Sequence, residues 1–295
     1  MAGLIQGADL TDHHIRVFEE ATAVITGGAS GIGRALGEEL AARGCEVVLA
    51  DLQVTLAEQV AADIRSKGGK ASAHLLDVRD FSALESLLKE TVARTGRLDY
   101  MFNNAGIAVV GTTNHCNLED WNQVVDVNFR GVVYGVQAAY QIMIDQGFGH
   151  IVNTASVAGL IPTPGVVSYA ATKAGVVGLS HALRPEAALH GITVSVLCPG
   201  VVRTPILEGG KYGKKVMAYP DELMAKVVEM LGPMPPNTFA RKALRSIAAK
   251  RSVIIYPVAW RLAWWLDRWF PTLTKAVLHR SFARVVQKLE RLSEE

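Results

Sequence analysis

The stretch Thr26-Gly27-Gly28-Ala29-Ser30-Gly31-Ile32-Gly33 constrains this chain more than any other, because of what stands on either side of it. The apolar run Ala23-Val24-Ile25 enters it, and Arg34 to Arg43 leaves it with helical periodicity. This is strand, glycine turn and helix. Glycines at this spacing let the backbone turn sharply and approach a pyrophosphate, whose charge is met by the N-terminus of the helix. Further along, short apolar strands keep alternating with helical segments. That rhythm predicts an α/β fold, a Rossmann-type doubly wound parallel sheet of about seven strands with helices on both faces. Ligands of such a sheet bind at the carboxyl ends of the strands, where strand order reverses. With 295 residues, 49% of them apolar, the chain can bury one large core.

The second strand, Glu46-Val47-Val48-Leu49-Ala50-Asp51, closes on a carboxylate at the distance expected for a ribose contact. A carboxylate there accepts from both hydroxyls of an adenosine ribose and repels a 2′-phosphate, which predicts NAD(H) rather than NADP(H). The plainer reading is that Asp51 caps the helix predicted over Gln53 to Lys67. Tyr169 and Lys173, four apart in a helical segment, share one face, with Ser156 at the end of the strand before them. A phenol of pKa ~10 is a poor acid or base at neutral pH, and an adjacent ammonium should lower it. Tyr169 is therefore the expected proton carrier and Ser156 the group that holds a substrate oxygen.

The Gly-x-x-x-Gly-x-Gly spacing together with Tyr169-x-x-x-Lys173 resembles the short-chain dehydrogenase/reductases, over roughly residues 21 to 256. The resemblance implies a catalytic set of Asn128, Ser156, Tyr169 and Lys173, with the Asn128 backbone carbonyl holding a water that links Lys173 to solvent. It implies NAD contacts from Gly27, Ser30, Gly31, Ile32, Gly33 and Asp51, and adenine contacts from Asp77 and the Val78 backbone. Asn104, Ala105 and Gly106, in Asn103-Asn104-Ala105-Gly106, would border the cofactor. In Pro199-Gly200-Val201-Val202-Arg203-Thr204, which resembles the family's Pro-Gly-x-x-x-Thr, the Val202 backbone and the Thr204 hydroxyl would hold the nicotinamide carboxamide. Tyr169 and Lys173 would also touch the nicotinamide side. Relatives form homodimers or homotetramers through the helices around Asn128 and Tyr169.

Three units are expected. Residues 1–20 form a lead-in, 21–256 the catalytic domain with a substrate lid at about 204–237, and 257–295 a helical extension. The lid offers Ile206, Leu207, Tyr212, Met217 and Tyr219, with Glu208 and Lys211 at its mouth, and Val157, Ala158, Leu160 and Ile161 follow Ser156. An apolar pocket suits a hydrophobic secondary alcohol or its ketone, such as a steroid, retinoid, terpenoid or long-chain compound. The alternative is a non-catalytic nucleotide-sensing or membrane-associated scaffold of the same fold.

From Arg241 onward there are 12 Lys and Arg against 4 Asp and Glu, while residues 1–240 hold 18 against 24. The extension also carries four of the five tryptophans, Trp260, Trp264, Trp265 and Trp269. Pro257, Pro271 and its charges interrupt it too often for a bilayer span. It either packs on the subunit or its oligomer partner, covering the active-site mouth, or makes peripheral contact with a membrane through interfacial Trp and basic Lys and Arg. Cys45, Cys116 and Cys198 are scattered and odd in number, and no apolar run with a basic flank opens the chain, so a reducing, cytoplasmic location is expected. No metal-ligand spacing or nucleic-acid motif is found.

Overall fold

The computed structural model describes residues 14–207, 212–217 and 221–294. Residues 1–13, most of the expected lead-in, and Glu208, Lys211 and Tyr219 of the insert lie outside the described residues. The chain runs β1 (Thr22–Thr26), α1 (Gly31–Ala41), β2 (Glu46–Asp51), α2 (Val54–Ser66), β3 (Lys70–Leu75), α3 (Phe81–Thr95) and β4 (Tyr100–Asn103). It continues with β5 (Ala108–Val110), α4 (Leu118–Val125), a π turn (Asp126–Arg130), α5 (Gly131–Gln146), β6 (Gly149–Thr154), α6 (Val167–Ala188) and β7 (Ile192–Pro199). Last come β8 (Gly213–Lys215), α7 (Asp221–Met230), α8 (Pro236–Ala248), β9 (Val253–Tyr256), α9 (Val258–Trp269) and α10 (Pro271–Glu294).

Seven strands form one sheet in the order β3-β2-β1-β4-β6-β7-β9, and every pairing is parallel. Strands covered on both faces need apolar side chains on both, and Val24, Ile25, Val47, Val48, Leu49, Met101, Phe102, Ile151 and Val152 are accordingly buried. One core cluster joins Leu36 and Leu40 of α1, Val60 of α2 and Phe239 and Leu244 of α8 to the sheet. A second joins Leu84 and Leu88 of α3 and Met143 of α5 to the other face. Strand order reverses between β1 and β4, so their carboxyl ends open a crevice there.

Local signals set several boundaries. Asp80 caps α3 by accepting from the Ala83 N–H, and Gly96, at φ 77°, ends it in the left-handed conformation. A capping box of Asn117 and Asp120 opens α4. The sequence from Leu118 to about Gln146 carries one continuous helical pattern, but the structure interrupts it with the π turn, in which Asn128 sits. The insert after β7 is tied to the body. Its β8 pairs with β5, the Lys214 Nζ lies 2.9 Å from Asp120 Oδ1, and the Gln53 side chain donates to the Tyr212 hydroxyl at 3.1 Å.

At the opposite end of the sheet, Asp99 is fully buried and bound by the Arg97 guanidinium at 2.6 and 2.7 Å. The same carboxylate accepts from the backbone N–H of Thr22 and Arg16, which fastens the segment before β1 onto β4. Phe18 is buried there with its ring 5.4 Å from that of Tyr100. Removing one partner of a buried, hydrogen-bonded ion pair costs about 3 to 5 kcal/mol because the other charge stays desolvated. Asp99→Ala is therefore expected to lower the unfolding free energy by about that amount, as read from urea denaturation, with no change in the residues of the crevice.

Candidate functional site

Above the carboxyl end of β1 the chain turns through Gly27 (φ 66°) and Gly31 (φ 53°), a region open to glycine at little cost. Gly33 tolerates no side chain, since a Cβ there would lie 2.1 Å from the Gly27 carbonyl oxygen and 2.6 Å from the Asn104 Nδ2. Asn104 locks this turn to the end of β4. Its Nδ2 donates to the Thr26 carbonyl at 3.0 Å, and the Thr26 hydroxyl accepts from the Asn104 and Ala105 N–H groups. Asn104 thus shapes the crevice through the glycine turn. Ser30 stands at the N-cap of α1 without a side-chain capping bond, which leaves the helix N-terminus to a ligand.

Asp51, at the end of β2, is almost fully buried. Its carboxylate accepts from the Ala29 N–H at 3.0 Å and the Gln53 N–H at 2.9 Å. The N-cap of α2 is Gln53, so the plainer reading of Asp51 as that cap does not hold. Asp51 is instead aimed along the glycine turn. Asp77 and Val78 follow β3. Arg79 grips the Asp77 carboxylate at 2.6 to 3.0 Å and holds its pKa below the usual carboxylate range, while the Val78 side chain packs against Gly131. On the far side of the crevice, the Thr204 side chain lies where a Cβ on Gly31 would be 3.1 Å away, and Ile32 is half-buried. Val202 is buried and bridged to Met234, and Gly200 is pressed against the Trp260 indole. These features form a cradle that fits a dinucleotide: a glycine-lined turn, a helix N-terminus and a carboxylate at the next strand end.

Ser156 leaves the end of β6, and its Oγ accepts from the Ala158 N–H at 3.1 Å and faces the Pro199 carbonyl at 3.4 Å. Tyr169 and Lys173 lie on α6, with the Lys173 Nζ 5.5 Å from the centre of the Tyr169 ring. Lys173 is buried and donates to the Thr154 carbonyl at 2.8 Å. A Cβ on Gly106 would stand 3.3 Å from both the Lys173 Nζ and the Asn128 Oδ1, so Gly106 is the gap that lets these groups meet. Asn128 is fully buried, and its side chain is spent on Ile107, accepting from the N–H and donating to the carbonyl at 2.8 Å each. The structure therefore brings Lys173 to Asn128 at Gly106 and Tyr169 to both Lys173 and Ser156.

The electrostatics differ from the expectation that Lys173 lowers the phenol. Burial raises the Tyr169 pKa, and a hydrogen bond with Ser156 opposes that only in part. Lys173 itself is lowered to about 8 by burial. Desolvation disfavours both charged forms and is the largest influence on each.

Sequence reasoning missed a buried polar chain behind the site. The Asn103 amide donates to Asn153 Oδ1 at 2.8 Å, and the Asn153 amide donates to Ser180 Oγ at 3.0 Å. It ties β4, β6 and α6 together. Asn153 and Ser180 stand in ordinary strand and helix patterns, so only their fully buried placement distinguishes them. An apolar groove of about 660 Å³ lies elsewhere, between α10 and the segment after Ser156, with Leu160, Ile161, Ala171, Ala174, Leu278 and Phe282 in its walls. Ser156, Tyr169 and Lys173 do not line it. Ala158, Leu160 and Ile161, expected at the substrate surface, thus face the extension.

Residues 21–212 match the family model described as short chain dehydrogenase. A 3-oxoacyl-[acyl-carrier-protein] reductase of Synechocystis sp. is 38% identical over 187 residues, 63% of this chain and 76% of the relative. A cyclohexanol dehydrogenase of Acinetobacter sp. is 35% identical over 221 residues, covering 72% of this chain and 88% of the relative. A crystal structure of a short chain dehydrogenase/reductase from Burkholderia phymatum in complex with NAD superposes with a TM-score of 0.77 at 29% identity, over 88% of this chain and 96% of that one.

Because Lys173 loses its proton near pH 8 when folded and near 10.5 when unfolded, the unfolded chain holds more protons between those values. Stability due to this group therefore rises with pH across that window, by at most about 1.4 kcal/mol per pH unit. In urea unfolding at pH 7.5 to 10.5, the wild type is expected to gain stability relative to Lys173→Met as pH rises.

Proposed function

The chain belongs to the short chain dehydrogenase family and is an oxidoreductase; on that premise we propose that it moves a hydride between NAD(H) and a hydrophobic secondary alcohol or its ketone. The observation that carries this reading is the meeting of Tyr169 with Ser156 and with Lys173, at the carboxyl ends of the strands, where Lys173 also reaches Gly106. The fit of the cradle supports the cofactor. Asp51 would accept from the ribose hydroxyls, and the start of α1 would face the pyrophosphate. The Val202 backbone and the Thr204 hydroxyl would hold the carboxamide. The Arg34 guanidinium is bonded to Glu38 at 2.8 Å, so it is already committed and offers a 2′-phosphate little. When bound, NAD(H) supplies the hydride acceptor or donor.

The chain's own groups manage the oxygen and its proton. Ser156 would donate to the substrate oxygen and orient its carbon. Tyr169 would give a proton to that oxygen as a ketone is reduced, or take one as an alcohol is oxidised. Burial keeps the phenol protonated, the form that donates. Lys173, with a pKa of about 8, is mainly cationic at neutral pH and would stabilise the phenolate left after donation. The π turn at Asp126–Arg130 supports the role given to Asn128, because a widened turn departs from the regular ladder and its carbonyls can turn to outside partners. The Val109 and Val110 side chains of β5, paired with β8 of the insert, support an apolar substrate side. Free Cys45, Cys116 and Cys198 support a reducing, cytoplasmic setting, and for the assembly we propose a homodimer or homotetramer.

Tyr169→Phe is expected to cut turnover by about 10² to 10⁴ while NADH still quenches protein fluorescence on binding. A panel of cyclic and long-chain alcohols, followed by NADH absorbance, tests the substrate class. Asp51 makes a direct forecast for the cofactor: kcat/KM should favour NAD⁺ over NADP⁺, and Asp51→Ser should narrow that preference by about tenfold or more. An NADP⁺ preference in the wild type would overturn the assignment.

A further inference from the structure

The helix α9 has two apolar faces, and the subunit uses only one. Trp260 and Trp264 point inward, packed on the cluster formed by Val196, Cys198 and Ile255, and Trp260 is in close contact with Gly200. The outward face repeats at i, i+4, i+7 and i+11 with Val258, Leu262, Trp265 and Trp269, whose exposures are 51, 62, 47 and 71%. Phe270 and Leu273 extend it around the corner into α10, at 57 and 64% exposure. The corner is fixed, since the Thr274 hydroxyl donates to Asp267 Oδ1 at 2.6 Å. A contiguous exposed stripe with two tryptophans is rarely left to water without a purpose.

We propose that this face docks on the surface of an anionic phospholipid membrane, with α9 lying in the interface plane. Charge argues for lipid. The exposed charged residues that accompany the stripe are Arg261, Arg268, Arg280 and Arg284, and the one acidic group among residues 257–287, Asp267, is half-buried and taken by Thr274. Arg261 and Arg268 lie seven apart along one flank of the stripe, as basic residues do beside an apolar face that enters headgroups. A second copy of the chain is the competing occupant. A two-fold contact would set each patch against itself, bringing like charges together with no acidic partner in the patch. Among the described residues no helix is long and apolar enough to cross a membrane, so the contact is one of lying on the surface. Tryptophan suits that depth, its ring being apolar at one end and hydrogen-bonding at the other.

The test is cosedimentation of the full chain with vesicles of phosphatidylcholine alone and with about 30% phosphatidylserine. The wild type is expected to pellet with the anionic vesicles, to be released as salt is raised, and to shift its tryptophan emission to the blue on binding. Trp265→Ser with Trp269→Ser, both exposed, should weaken binding about tenfold or more. Arg261→Glu with Arg268→Glu should abolish the preference for anionic vesicles. Circular dichroism and NADH binding serve as controls for folding of each variant. Wild type that stays in the supernatant with anionic vesicles overturns the proposal, as do variants that bind like wild type. A halving of the solution mass in the serine variant, by light scattering, would assign the face to a second copy and equally overturn it.

Discussion

Two neighbouring strands from which the chain departs in opposite directions are the constraint on which this molecule is built. From β1 the chain steps outward to β2 and β3; from β4 it steps the other way, to β6, β7 and β9. No crossover covers the space above that divide. Backbone must line it at close range, which is why Gly33 stands under the Gly27 carbonyl and why the Asn104 amide is needed to hold the turn. The residues credited with chemistry come from the same edge. Ser156 follows the end of β6, Pro199 ends β7, and Asp51 ends β2.

Within that edge, burial governs the titrating groups more than proximity does. The Lys173 ammonium is held by one carbonyl, that of Thr154, and sits beside a phenol and the Cys198 thiol, which burial raises to about 12 and keeps neutral. Burial dominates at Lys173, so its cation is costly to keep and its proton easy to lose. A proton relay benefits from such a group, because its two protonation states lie close in energy near physiological pH.

Much of the fold was legible because its signals are local. Apolar runs of four to eight residues, glycine turns and capping residues such as Asp80 follow from neighbours in sequence, and the family spacing of the glycines with Tyr169 and Lys173 supplied the rest of the site. What escaped depends on distant parts meeting. The π turn around Asn128 lies within a sequence that reads as one uninterrupted helix. The Asn103–Asn153–Ser180 chain needs three separate elements to be assembled before its polarity makes sense. The expected lowering of the Tyr169 pKa came from pairing two side chains on one helix face; depth of burial, which reverses it, is set by the whole fold. Trp260 could be placed in an amphipathic helix, but nothing nearby in sequence announces that it rests on Gly200.

The placement of α10 carries a consequence for quaternary architecture. Lys275, Leu278 and Phe282 stand over Ala171 and Ala174, on a face of α6 turned away from Lys173. A neighbouring subunit that approached along that stretch would find the ground already taken by this chain's own last helix. A seam laid along that face of α6 would have to include the extension, because α10 already occupies it.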